Sequence, residues 1–301
     1  MGSDAHVIVV GGPCGLDEQA RRRIDDLEQR WSRFRPDSEV SELNRRAGVP
    51  VRVSGETIEL IERAVDAWLL SGGTFDPTVL GAVIRAGYDR SFDELGPAPP
   101  PGRSPLGIGL ADIEIDGDTV RLPAGTGFDP GGIGKGLAAD MVVGEVLAAG
   151  AEGVCVNLGG DVRVAGARPT GDGWTVAVEH PWSDAPIAVL GLTAGAVATS
   201  TTLKRRWETD GQVRHHLIDP GTGLPSDTDV NLATVVVAAG WAAEVLAKAV
   251  LLRGAAHAFD ILGGTGAQGL VVEDGGRIHT TPAFSSYASG VDLPARLAPA
   301  S

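Results

Sequence analysis

Two glycine-rich blocks constrain this chain more than any other feature of it. The first is Phe128-Asp129-Pro130-Gly131-Gly132-Ile133-Gly134-Lys135-Gly136, which runs from a turn into an apolar-faced helix. The second begins at Ala198-Thr199-Ser200 and leads to His215-His216-Leu217-Ile218-Asp219-Pro220-Gly221-Thr222-Gly223. Glycines let backbone N–H groups approach a ligand closely, and a helix N-terminus favours negative charge. Lys135 puts a mobile cation at the same spot, so the first block reads as a phosphate cradle or as a plain tight turn. It is not a dinucleotide fingerprint, because the G-x-G-x-x-G spacing and a preceding strand are both missing. Nor is it a Walker loop, since the Gly-Lys pair is followed by Gly136 rather than Ser or Thr.

A chain of 301 residues can hold one large domain or two ordinary ones, with a sizeable core. Hydrophobic content of 43% with 43 Gly and 19 Pro describes a soluble, turn-rich globular protein. The net charge of −14 argues against nucleic acid or an anionic membrane as partner. It also requires any site for an anionic ligand to be locally positive or metal-assisted. Cys14 and Cys155 are too few for a disulfide framework and fit a reducing compartment. With no signal peptide, lipid-attachment cysteine or apolar run of spanning length, the expected location is cytoplasmic, without membrane insertion.

The hydrophobic periodicity predicts an amphipathic helix over 17–34, with Ile24, Leu27, Trp31 and Phe34 on one stripe. Ser54 caps a second helix, 55–70, stopped at Gly72-Gly73. A third covers 135–149 and a last one 241–252. Gly96 to Gly107, with its Pro99-Pro100-Pro101 run, reads as a loop or linker. Strands are expected at 154–164, with a kink at Gly159-Gly160, and at 174–179, 187–194, 215–218 and 233–238. Helices with antiparallel-looking strands make the fold class α+β.

The ordered motifs carry a resemblance. Met1-Gly2-Ser3, the stretch Trp31-Ser32-Arg33-Phe34-Arg35-Pro36-Asp37-Ser38-Glu39-Val40-Ser41-Glu42-Leu43-Asn44, and Gly73-Thr74-Phe75-Asp76-Pro77-Thr78-Val79 come first. The block from Gly131 to Asp140, Asn157-Leu158-Gly159-Gly160-Asp161, Ala198-Thr199-Ser200 and the stretch from His216 to Pro225 follow in order. Together they resemble the ApbE family of FAD:protein FMN transferases, from residue 1 to about residue 275. The resemblance implies a two-lobed fold with a tunnelling-fold antiparallel sheet, flanking helices and a cleft between lobes. On that basis residues 1–290 form one ApbE-like domain of two lobes, and 291–301 a loose C-terminal tail.

The resemblance also implies the chemistry. A Thr or Ser hydroxyl of an acceptor redox protein, carried on a flavinylation motif, attacks the FMN-side phosphorus of FAD, and AMP leaves. Such a step needs phosphate neutralisation, a base and flavin positioning. Gly131, Gly132, Ile133, Gly134 and Lys135 are candidates for the phosphates, and Asp161, Thr199, Ser200 and Thr222 for the rest of FAD. His216 is the candidate base, because imidazole titrates near neutral pH; a buried histidine without catalytic duty is the alternative. Its neighbour His215 alternates to the other strand face and is expected to tolerate substitution. Asp219 either orients His216 or the substrate, or merely closes an Asx-turn. Asp76 and Asp129, both in Phe-Asp-Pro, read as turn-closing devices.

One departure stands out in the last helix. The family pattern there is Ala-Asp-x-x-x-Thr, whose side chains bind a divalent metal with a backbone carbonyl of the glycine-rich block, here at Gly134. This chain has Ala243-Glu244-Val245-Leu246-Ala247-Lys248. Glutamate can bind Mg²⁺, but a protonated lysine repels it. Positions 244 and 248 share a helix face, so Glu244 is expected to hold Lys248, which stands in for the ion. The leading function that the resemblance implies is FMN transfer. The alternatives are a protein that holds FAD without transferring it, an FAD pyrophosphatase, and an unrelated sugar- or nucleotide-binding module.

Overall fold

The structure is a computed structural model that describes residues 4–90, 110–171, 173–209 and 212–288. Met1 to Ser3, the expected linker from Gly96 to Gly107 and the expected tail over 291–301 lie outside the described residues. The chain divides into two compact units, one of Met1–Gly2, Asp26–Gly134 and Thr202–Asp227, the other of Ser3–Asp25, Lys135–Thr201 and Thr228–Ser301. Six α-helices punctuate the described chain: α1 Leu16–Trp31, α2 Glu39–Arg45, α3 Gly55–Leu70, α4 Leu80–Arg85, α5 Gly134–Ala148 and α6 Gly240–Leu252. None of the described helices is long and apolar enough to cross a membrane.

The second unit is built on a seven-stranded antiparallel sheet. Its strands are β1 Ala5–Val10, β2 Gly153–Leu158, β3 Asp161–Gly166, β4 Gly195–Thr201, β5 Val230–Val237, β6 Gln268–Glu273 and β7 Ile278–Thr280, each paired with the next. In β5, Leu232, Ala233, Thr234, Val235 and Val236 are all buried, so both faces of the sheet are covered there. Leu232 and Val236 join Val162, Val164, Val197, Leu270 and Val272 in one core with a separate hairpin, Trp174–His180 and Ser183–Leu192. The alternate residues Ala233 and Val235 face the opposite side, and α6 packs on β4 and β5. The expected single strand over 154–164 is instead two strands. Gly159 and Gly160 both adopt positive φ, 62° and 97°, and reverse the chain in a two-residue turn. Asp161 therefore opens the returning strand.

In the first unit, α3 begins and ends where the sequence places it. The Ser54 side chain accepts from the Thr57 amide, and Glu39 accepts from the Ser54 amide (3.1 Å) and its hydroxyl (2.7 Å). A small sheet joins Val51–Arg52, Thr119–Arg121 and Glu114–Asp116. Two short hairpins complete it, Arg206–Thr209 with Gln212–His215, and Ile218–Asp219 with Leu224–Pro225.

Candidate functional site

The glycine-rich block closes largely on itself. The Gly131 amide donates to Asp129 Oδ1 (2.9 Å), and the Ile133 and Gly134 amides donate to the Pro130 carbonyl (3.1 and 2.8 Å). Three of the amides expected to cradle phosphate are thus engaged within the turn. Asp76 closes a matching turn by accepting from the Thr78 amide at 2.7 Å, and the Asp129 amide donates to the Pro77 carbonyl. Both Phe-Asp-Pro segments are turn devices, as expected. Sequence reasoning gave Asn44 and Arg33 no role, yet both fix this turn. Asn44 grips Phe128 from both sides, donating to its carbonyl (2.9 Å) and accepting from its amide (2.6 Å). Arg33 lies 3.4 Å from Asp129 Oδ1, stacked on the Phe34 and Tyr88 rings.

In the second unit, Lys135 comes against two acidic side chains from distant stretches of chain. Its ammonium is ion-paired with both Asp161 and Glu244, and the other Glu244 oxygen accepts from the Gly136 amide at 2.8 Å. The three side chains are 16%, 8% and 6% exposed, so the pairing is largely desolvated. Burial pulls the lysine pKa down, but the two carboxylates outweigh it and leave the ammonium charged at any ordinary pH. Burial pushes the Asp161 carboxyl up to about 6 against the opposing pull of Lys135, with Glu244 adding repulsion. The Thr199 backbone also bonds Asp161, and the Thr199 hydroxyl lies 2.9 Å from that of Thr234. Ser200 is placed opposite Ala233 in the sheet.

A helix crossing makes this meeting possible. An added Cβ on Gly136 would lie 2.2 Å from the Gly240 carbonyl oxygen, and one on Gly240 would lie 2.5 Å from that of Gly136. Asp140 holds the crossing from the α5 side, accepting from the Gly240 (2.8 Å) and Trp241 (3.0 Å) amides, and Arg163 donates to it at 2.8 Å. Asp140 thereby caps α6, whose own N-cap residue Ala239 offers no side-chain bond. Glu244, one turn beyond Gly240, is delivered onto Lys135. The partner expected for Glu244 is Lys248; Lys135 fills that role instead, because the i,i+4 rule sees only α6 and the crossing brings in a cation from α5.

The remaining candidates belong to the first unit. His216 meets Tyr88 edge-on, with centroids 6.3 Å apart. Asp219 accepts from the Gly221 amide at 2.9 Å, so the Asx-turn is what its carboxylate forms, and the Thr222 hydroxyl accepts from the Leu224 amide within the same turn. Both ring nitrogens of His215 are engaged. Its Nδ1 accepts from the Leu217 amide (3.3 Å) and its Nε2 lies 3.1 Å from the Ser226 carbonyl, which requires a neutral ring with the proton on Nε2. Burial holds its pKa below the usual 6.5, with Arg206 adding repulsion. A depressed pKa contributes stability that is complete above about pH 6.5 and is lost as pH falls through the folded value. His215→Asn should therefore melt below the unmodified protein by the most above that pH, with the gap closing on acidification. A gap that does not depend on pH would contradict this assignment.

The model of the ApbE family matches residues 1–270. The chain belongs to the ApbE family. It is 31% identical to an FAD:protein FMN transferase of Treponema pallidum, over 79% of this chain and 71% of that protein. To the FAD:protein FMN transferase of Vibrio cholerae it is 27% identical, over 91% and 82%. An ApbE protein of Thermotoga maritima has a similar structure, with a TM-score of 0.84, 27% identity and coverage of 95% and 96%. The fold is shared with the flavin transferase ApbE of Vibrio cholerae at a TM-score of 0.79.

Proposed function

We propose that this chain transfers FMN from FAD to a Thr or Ser hydroxyl of an acceptor redox protein. The observation that carries the proposal is family membership along nearly the full chain, with relatives named for that activity. The hydroxyl oxygen forms a bond to the FMN-side phosphorus, the bond from that phosphorus to the bridging oxygen breaks, and AMP leaves with that oxygen. Lys135, in the first turn of α5, is the proposed cation at the phosphates, its charge shared with Asp161 and Glu244. His216, against the edge of Tyr88, is the proposed base for the hydroxyl proton. A reducing compartment such as the cytoplasm suits the free thiols Cys14 and Cys155.

Mg²⁺ demands a near-octahedral shell of oxygens, and the residues present do not fit it. Glu244 is held by an ammonium and an amide, the Lys248 side chain offers no oxygen, and Gly134 opens α5. No step of the reaction is therefore assigned to a metal. If His216 is the base, His216→Asn should retain FAD and release AMP roughly a hundredfold more slowly with acceptor present. Unchanged turnover in that variant would remove His216 from the reaction.

A further inference from the structure

We infer that the cation of this site is built into the chain: the Lys135 ammonium, clamped between Asp161 and Glu244, takes the place of a divalent ion. Three observations converge on this. The ammonium contacts both carboxylates at once, one from the start of β3 and one from α6. The second Glu244 oxygen is committed to the Gly136 amide, which orients the carboxylate toward the lysine. The residue one turn further along α6 is Lys248, whose side chain supplies no oxygen.

Mg²⁺ is usually held by one or two carboxylates together with its own waters, and here both carboxylates, Asp161 and Glu244, are already engaged by the Lys135 ammonium. A metal entering between the carboxylates would have to expel Lys135. The lysine grows from the first turn of α5, where the Gly136–Gly240 crossing fixes the backbone one residue away. Glutamate in place of the family's aspartate adds one methylene, which lengthens the reach of the carboxylate from α6. The clamp holds the ammonium at a fixed place, with two of its three N–H donors spent on the carboxylates.

The inference concerns the site of the proposed transferase and rests on that reading only for the role of the cation. Mn²⁺ followed by electron paramagnetic resonance, with the full chain and FAD, tests it separately. The unmodified protein should leave the free Mn²⁺ signal undiminished, and its FAD affinity should change less than twofold on adding EDTA. Lys135→Met should acquire Mn²⁺ binding, seen as loss of the free signal and a rise in melting temperature with added Mn²⁺. One Mn²⁺ taken up per unmodified chain would overturn the inference, as would a folded Lys135→Met protein that binds none. Neither result bears on transfer itself, whose failure would show as no FMN gained by an acceptor.

Discussion

Lys135→Met should lower the stability of this protein by about 3–5 kcal/mol, the usual cost of stripping the partner from a buried ion pair. Methionine fills much of the same volume, so the loss is electrostatic rather than a cavity. It leaves Asp161 and Glu244, 8% and 6% exposed, facing one another without a cation between them. Adding Asp161→Asn and Glu244→Gln removes both orphaned charges and should recover most of the loss, since apolar or neutral replacements of a whole buried network are often tolerated. Urea denaturation of the single and triple variants measures both numbers. A single variant as stable as the unmodified protein would mean that the clamp is not formed in solution.

Gly136→Ala should be nearly as damaging, for a different reason. The new Cβ would sit 2.2, 2.4 and 2.7 Å from the Gly240 oxygen, the Gly240 carbonyl carbon and the Trp241 nitrogen, all backbone atoms. No side chain can swing aside, so α5 and α6 must separate. Overpacking of this kind costs about 3 kcal/mol, or roughly 6–12 °C in melting temperature for a domain of this size. Separation also pulls Glu244 off Lys135, so that ion pair is lost along with stability. Gly144, in the same helix, has nothing within 4 Å of an added Cβ. Gly144→Ala should instead stabilise by up to about 1 kcal/mol through helix propensity alone. Equal melting temperatures for the two variants would contradict the crossing.

The contrast between these two glycines shows what the sequence could reveal. Local signals were legible: Ser54 and Gly72-Gly73 bound α3 as expected, and Phe-Asp-Pro twice made a turn. Those devices act within a few residues of themselves. Gly136 reads from sequence as a phosphate-loop glycine, and only its approach to Gly240 shows it to be a packing glycine. The pairing of Lys135 with Glu244 spans 109 residues, beyond the reach of any spacing rule, and the nearer Lys248 drew the expectation instead. The reversal at Gly159-Gly160 was hidden because apolar residues continue in phase on both sides. Asn44 lies within the polar helix α2 and its partner Phe128 is 84 residues away, beyond any local signal.

The central claim is that this chain moves FMN from FAD to a protein hydroxyl. The direct measurement is the intact mass of an acceptor protein bearing a Ser/Thr flavinylation motif, incubated with the purified chain and FAD. The account predicts that the acceptor gains one FMN through a phosphoester, with one AMP released for each FMN attached and with EDTA present throughout. An acceptor of unchanged mass, whether FAD stays intact or is merely hydrolysed to FMN and AMP, would contradict it.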